Sequence, residues 1–164
     1  MTERRINIFH HVATITISND QDCWAAATAM VLRRNSNAGT DHVKSLAHSA
    51  GIQLDVGTLP ESSVRRFAHA VHLNLHSFPR KDVSLERMGE LLQKGPVVAF
   101  GYFNHPSSLA ATPHAVAIYS LIGSGTRRHT RVSLVDPAGP TNPFSDDWEH
   151  FITRVADIQY ILSH

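Results

Sequence analysis

The stretch from Cys23 to Arg34 constrains the fold more than any other part of the sequence. Its twelve-letter sequence CWAAATAMVLRR is rich in alanine and nearly apolar on every side, and its two final arginines suit the negative end of a helix dipole. A helix without a polar face is normally buried on all sides. We therefore predict a central buried helix over residues 23–34, with the rest of the chain packed around it.

Composition limits the classes of protein to which this chain can belong. It has 164 residues, the size of one domain, and is 42% hydrophobic and 18% charged, which is typical of a globular protein. The formal net charge is +1, whereas dedicated nucleic-acid binders are usually strongly basic, so we expect no nucleic-acid partner. The single cysteine excludes an internal disulfide and a multi-cysteine zinc site.

The apolar runs are too short to cross a membrane. The two most apolar runs, 91–103 and 115–122, are well below the length of a transmembrane helix. Polar residues interrupt the N-terminal segment, which indicates no signal peptide. We expect a monomer that is made in the cytoplasm and has no membrane partner.

Hydrophobic periodicity and turn residues predict the other elements. An edge strand or extended arm is expected at 6–18, and helices are expected at 40–50, 60–70 and 85–94. Strands are expected at 73–78, 96–103, 114–121, 131–136 and 158–162, and Ser145, Asp146 and Asp147 are expected to open a last helix. Because helices lead and strands follow, we predict an α+β fold with an antiparallel sheet.

Cys23 stands at the first turn of the predicted central helix. The unpaired N–H groups and partial positive charge of a helix N-terminus favour a thiolate over a thiol. Asp20 and Asp22 oppose this effect, so a nucleophile here needs a cationic partner. From position alone, a small buried hydrophobic residue is the alternative interpretation.

His114 and Asp136 supply a possible partner for Cys23. His114 begins one predicted strand and Asp136 ends the next. An antiparallel hairpin centred on residue 125 puts His114 opposite Asp136 and Val116 opposite Leu134, all on one face. Asp136 would then hold one ring nitrogen and leave the other for a thiol, as in a nucleophile, base and orienting-carboxylate arrangement. An incidental polar pair at the rim of a hairpin is the alternative.

Four segments together resemble the papain-like cysteine peptidases. They are QDCWAAATAMVL, GPVVAFGYF, TPHAVAIYSLIG and VSLVDPAGP, and the resemblance spans about residues 15–155. It is greatest to small bacterial members, namely effector peptidases and the peptidases that trim double-glycine leaders. The resemblance implies Cys23 as nucleophile, His114 as general base and Asp136 as orienting residue, without a metal or other cofactor. It also implies one papain-like domain over 1–164, with a helical half (about 19–94) packed on a sheet half (about 95–164).

One departure from the family pattern concerns the oxyanion hole. Papain-like enzymes usually place a glutamine six positions before the cysteine, where this chain has Ile17. We expect Gln21, or less favourably Asn19, to donate in its place, beside the Cys23 backbone N–H. An ordinary turn residue is the alternative for Gln21.

Trp24, Asn104 and Pro113 are expected to line the substrate cleft between the two halves, since they stand next to the predicted site or in the loop before it. Core packing is the alternative for Trp24, and a passive loop is the alternative for the region of Asn104.

Two other clusters are interpreted as surface features. His69, His72 and His76 have a spacing that permits metal binding, but no cysteine or clustered carboxylate joins them, so we expect surface histidines. The basic turn at 127–131 lacks interleaved aromatic residues, so we expect a solvated turn rather than a nucleic-acid site.

The sequence therefore predicts a cysteine peptidase that cleaves a peptide or isopeptide bond of a protein or peptide substrate. Two alternatives remain open: a glutamine deamidase or transamidase with the same triad, and a catalytically weak binding module, which Ile17 favours. By analogy with the effector families, we expect a toxin that a specialised secretion system exports into a target cell, together with a cognate immunity protein.

Overall fold

The computed structural model describes residues 5–17, 22–32, 36–52, 61–79, 83–104, 113–139 and 143–164. Most of the helices lie in the first part of the chain, and most of the strands lie in the second. The elements are β1 (Ile6–Phe9), α1 (Cys23–Val31), α2 (Ser36–Ser49), α3 (Glu61–Ala70), β2 (Asn74–Ser77), α4 (Leu85–Gln93), β3 (Val97–Phe103), β4 (Pro113–Gly123), β5 (Thr130–Val135), β6 (Phe144–Asp147), α5 (Trp148–His150), a π-helical turn (Phe151–Val155) and β7 (Ala156–Ser163).

The strands form one antiparallel sheet with the order β2-β7-β3-β4-β5-β6. The first strand, β1, pairs with the second part of β4, while β3 pairs with its first part. The predicted α+β class with an antiparallel sheet is confirmed.

Helix α1 lies in the core against one face of the sheet. All its residues except Trp24 are buried, and its alanines pack with Ala115, Ala117 and Val135 of β4 and β5. Helix α2 also packs on α1. The central buried helix that the sequence predicts is confirmed, and it ends at Val31.

The opposite face of the sheet has its own core. Met88 and Leu92 of α4 pack there with Ile118 and Leu121 of β4, beside the buried Trp148 of α5. Helices therefore cover both faces of the sheet, and β4 is enclosed between them.

Local signals determine most helix ends. The Ser84 hydroxyl accepts a hydrogen bond from the Arg87 N–H at 3.0 Å and begins α4, as predicted. Gly51, with a φ of +71°, follows the end of α2, also as predicted. Helix α2 begins at Ser36, four residues before Thr40.

The β4–β5 hairpin has a different register from the predicted one. Leu134 lies opposite Ile118 rather than Val116, and Ala117 lies opposite Val135. The register shifts again near Tyr119, and a hydrogen bond of 3.0 Å from the Ser124 N–H to the His129 carbonyl closes a wider turn. The predicted direct opposition of His114 and Asp136 is therefore wrong. Gly123 pairs with Thr130, so the turn is centred between residues 126 and 127 rather than on residue 125.

The predicted last helix begins later than expected. Ser145, Asp146 and Asp147 form part of β6, which pairs with β5 and covers its outer edge. Only Asp147 acts as a helix cap, since its carboxylate accepts a hydrogen bond of 2.8 Å from the His150 N–H. Pairing with β5 outweighs the local helix-start signal at these residues.

Candidate active site

Three elements meet at the site. Cys23 is the first residue of α1, His114 is the second residue of β4, and Asp136 directly follows β5. Helix α1 packs on β4, and β4 pairs with β5. The structure thus brings together the three residues that the sequence analysis singled out.

A short hydrogen bond joins His114 to Asp136. His114 Nε2 lies 2.5 Å from Asp136 Oδ1, with side-chain exposures of 15% and 4%. The same carboxylate oxygen accepts a hydrogen bond of 2.9 Å from the Ala138 N–H. Asp136 is therefore held in place by its own turn, and it fixes the orientation of the imidazole ring. The two residues meet diagonally, because the observed register, continued by one residue, places Val116 level with Asp136.

Cys23 is only 7% exposed, and its thiol lies close enough to His114 to interact with it electrostatically. Burial by itself lowers the pKa of His114, but the hydrogen bonds to Asp136 and Cys23, with their negative charges, outweigh it and raise this pKa to about 10. The imidazolium is therefore the dominant form of His114 at neutral pH. Since Nε2 binds Asp136, the other ring nitrogen is available to the sulfur.

Phe103 packs on the imidazole and was missed by the sequence analysis. Its ring lies edge-to-face with the His114 ring, with 6.2 Å between centroids and 78° between planes. In the β3–β4 ladder, Gly101 lies opposite His114, two residues before Phe103. This contact can be predicted only from the register of β3 against β4, and the sequence alone does not show which strands pair.

An ion pair beside the nucleophile was also missed. Lys44 Nζ of α2 lies 3.2 Å from Asp22 Oδ1, and Asp22 immediately precedes Cys23. The sequence identified Asp22 as an unfavourable neighbour of a thiolate, but the pairing of α1 with α2 that supplies Lys44 is a tertiary contact.

The residues predicted for the oxyanion hole lie in the segment just before Cys23. Gln21 and Asn19 lie outside the described residues, so the second oxyanion donor stays a prediction. Ile17 donates its backbone N–H to the Pro137 carbonyl at 3.0 Å, which ties the segment before the nucleophile to the Asp136 turn.

The three predicted cleft residues occupy different positions. Trp24 is half-buried and packs edge-to-face on Phe67 of α3, with centroids 5.3 Å apart. Asn104 is exposed at the end of β3, and its N–H donates to the Val155 carbonyl at 2.7 Å. Pro113 begins β4, next to His114. Asn104 and Pro113 thus lie at the His114 end of the sheet, and contact with substrate stays a prediction for all three residues.

The remaining histidine and arginine clusters have local partners. His76 Nε2 lies 2.8 Å from the Ser163 hydroxyl, and burial, Arg87 and Lys94 lower the pKa of His76. Within the described ranges, no group of three or more His, Cys, Asp or Glu side chains is placed to hold a metal ion. Arg127 forms an ion pair of 2.7 Å with Glu149. None of the helices in the described part of the chain is long and apolar enough to cross a membrane.

No protein-family model matches the sequence, and a comparison with curated proteins gives no match either.

Two of the solved structures with the same fold are a peptidase domain and a protease. One is the peptidase domain of Streptococcus ComA, a bi-functional ABC transporter involved in a quorum-sensing pathway: the TM-score is 0.60 at 15% identity, covering 93% of this chain and 98% of that one. Another is a double-glycine motif protease from an AMS/PCAT transporter in complex with its leader peptide: the TM-score is 0.54 at 16% identity, covering 98% and 99%. These similarities confirm the papain-like fold and its structural relation to the double-glycine peptidases.

Proposed function

We propose that this chain is a papain-like cysteine peptidase, with Cys23 as nucleophile, His114 as general acid and base, and Asp136 as the residue that orients His114. One observation carries the proposal: a cysteine at a helix N-terminus lies beside an imidazole whose Nε2 is held by a buried carboxylate. Nucleophilic catalysis by a thiol requires this order of groups. The fold shared with two peptidase domains supports the same conclusion.

The reaction proceeds through an acyl-enzyme. The Cys23 thiolate attacks the carbonyl carbon of the scissile bond, and the His114 imidazolium donates its proton to the leaving amine as the C–N bond breaks. His114 then takes a proton from water, which attacks the thioester and releases the carboxylic acid and the thiolate. Asp136 keeps the ring in position throughout. The Cys23 backbone N–H and the side chain of Gln21, or less favourably Asn19, donate to the oxyanion.

The proposed substrate is a protein or peptide, cleaved at a peptide or isopeptide bond. A peptide that contains a double glycine is the first to test, because one structural neighbour is a double-glycine motif protease in complex with its leader peptide. The test incubates wild type and Cys23→Ala with leader-type peptides and isopeptide-linked conjugates, and analyses them by mass spectrometry. We expect cleavage by wild type only, and loss of it after treatment with iodoacetamide.

The same experiment distinguishes the alternatives. Conversion of a glutamine to glutamate, or its linkage to an amine, without chain cleavage identifies a deamidase or transamidase. Binding of a peptide that Cys23→Ala retains unchanged, without any turnover by wild type, identifies a binding module. Either outcome contradicts the peptidase proposal.

We further propose that the peptidase is a bacterial effector or toxin. It would be made in the cytoplasm, exported by a specialised secretion system into a target cell, and neutralised in its producer by an immunity protein. The resemblance of the sequence to small effector peptidases supports this role. Expression of wild type and Cys23→Ala in the same bacterial host tests it: we expect growth arrest with wild type only, and harmless expression of both contradicts it.

A further inference from the structure

We infer that Lys44 is a positioning residue for the nucleophile, because it neutralises the Asp22 carboxylate that would otherwise oppose the Cys23 thiolate. The inference rests on the proposed function, in which Cys23 reacts as a thiolate. Three features of the structure support it: the position of Asp22, the ion pair between its carboxylate and Lys44, and the charges on the other elements around α1.

Asp22 occupies the position just before α1, where an aspartate normally caps the helix. Its backbone has a φ of −102° and a ψ of 7°, and among the described residues its side chain makes no capping hydrogen bond to α1. Capping aspartates instead have extended backbones and accept from the first turn. The Asp22 carboxylate is directed to Lys44, with 3.2 Å between Nζ and Oδ1. The Asp22 side chain therefore does not cap α1, and its charge is balanced by a lysine from a neighbouring helix.

Among the described residues, Lys44 is the charged side chain that pairs with the Asp22 carboxylate. Helix α2, which carries Lys44, packs directly on α1. In the part of the chain that the structure describes, the other titratable or charged side chains on elements packed against α1 are exposed, are half-buried tyrosines, belong to the site already described, or bind the opposite end of α1. They are Asp41, His42 and His48 of α2 and Arg65, Arg66 and His69 of α3 (all exposed), Tyr102 of β3, His114 and Tyr119 of β4, and His164, which lies 3.0 Å from the Val31 carbonyl.

Electrostatics gives the direction of the effect. A negative charge next to a thiol disfavours the thiolate, and a cation that pairs with that charge cancels most of the penalty. The side chains of Lys44 and Asp22 are 44% and 26% exposed. Exposed ion pairs contribute little to folding stability. Removal of Lys44 should therefore change the reactivity of Cys23 more than the stability of the fold.

The test measures the rate of Cys23 alkylation by iodoacetamide against pH in four proteins: wild type, Lys44→Met, Asp22→Asn and the double variant. We expect Lys44→Met to move the midpoint of the profile upward by about 0.5–1 pH unit. The double variant should return it to the wild-type position or below, because no unbalanced charge remains. Arg87→Met is the matched control, since it removes an equally exposed cation (44%) from an ion pair on α4, and its profile should equal that of wild type.

Three results overturn the inference. A low wild-type midpoint that is unchanged in Lys44→Met overturns the role of Lys44 alone and leaves the peptidase proposal standing, and so does a shift that persists in the double variant. A wild-type profile typical of an ordinary thiol overturns the proposed function, and with it this inference. Circular dichroism of all variants separates a change in charge from a loss of fold.

Discussion

At the scale of single residues, Asp136 does the most to organise the site. One of its oxygens accepts hydrogen bonds from both His114 Nε2 and the Ala138 N–H, and its side chain is only 4% exposed. A buried carboxylate held this firmly keeps one tautomer and one orientation of the ring. Asp136 also contributes to the raised pKa of His114 of about 10.

Asp136→Asn is therefore predicted to reduce peptide cleavage by about 10²–10⁴-fold. It should also change the pH dependence of cleavage. The step that protonates the leaving amine needs the His114 imidazolium, so in wild type the activity is lost as pH rises through about 10. Without the carboxylate, the alkaline limb of the kcat/KM profile should move toward the ordinary histidine pKa of about 6.5. An unchanged alkaline limb in the variant contradicts this assignment.

Gly139 leaves the space that the Asp136 side chain occupies. A Cβ at this position would lie 3.1 Å from Asp136 Cβ and 3.2 Å from its Cγ, which is too close without displacement of the carboxylate. Gly139→Ala should therefore lower kcat/KM for peptide cleavage by roughly 3–10-fold, because the Asp136 side chain must shift and its hydrogen bond to His114 is disturbed.

Gly89→Ala is the matched control for this substitution. A Cβ on Gly89 meets only Leu121 Cδ2 at 3.9 Å, and Gly89 lies inside α4. We expect full activity and a gain in the free energy of unfolding of about 0.5–1 kcal/mol. Equal activity of the two alanine variants would show that Gly139 does not determine the position of Asp136.

At the scale of elements, α1 depends on small side chains. Ala25, Ala26, Ala27 and Ala29 have no exposed surface, since α2 and the sheet both pack on this helix. We predict that Ala29→Leu lowers the free energy of unfolding in urea by about 1–3 kcal/mol, because the tightly packed core has no room for a larger side chain. Ala70→Leu, on a partly exposed position at the end of α3, is the control and should change stability by less than about 0.5 kcal/mol. Equal effects at both positions would contradict the close packing of α1.

Most elements could be predicted from local patterns, and the exceptions have physical causes. Helix α1 has a nearly continuous apolar sequence, and α4 has both a serine cap and a glycine after its end, so each was placed within a few residues. The hairpin register was wrong because apolar residues alternate along β4 and β5 in either register, and no clear local signal fixes the position of the turn that decides between them. Residues 145–147 resemble a helix start but pair with β5 as an edge strand.

At the scale of the whole molecule, the site lies where α1 meets the end of the sheet. Cys23, His114 and Asp136 could be predicted from the sequence because the residue types, their order and the resemblance to a family agree. The contacts of Phe103 with His114 and of Lys44 with Asp22 could not be predicted, because they depend on the register of β3 with β4 and on the packing of α2 against α1. Contacts between elements distant in sequence have no local pattern to identify them.

The central claim is that Cys23 and His114 form a reactive pair, and the pH dependence of Cys23 alkylation tests it most directly. The chain has one cysteine, so intact mass after treatment with iodoacetamide reports a single site. We predict fast labelling of the wild type that is nearly constant down to about pH 5 and much slower labelling of His114→Ala, because the imidazolium maintains the thiolate. Labelling that rises only near the ordinary thiol pKa of about 8.5 and is unchanged in His114→Ala would contradict the account, and so would a wild type that is labelled only after unfolding.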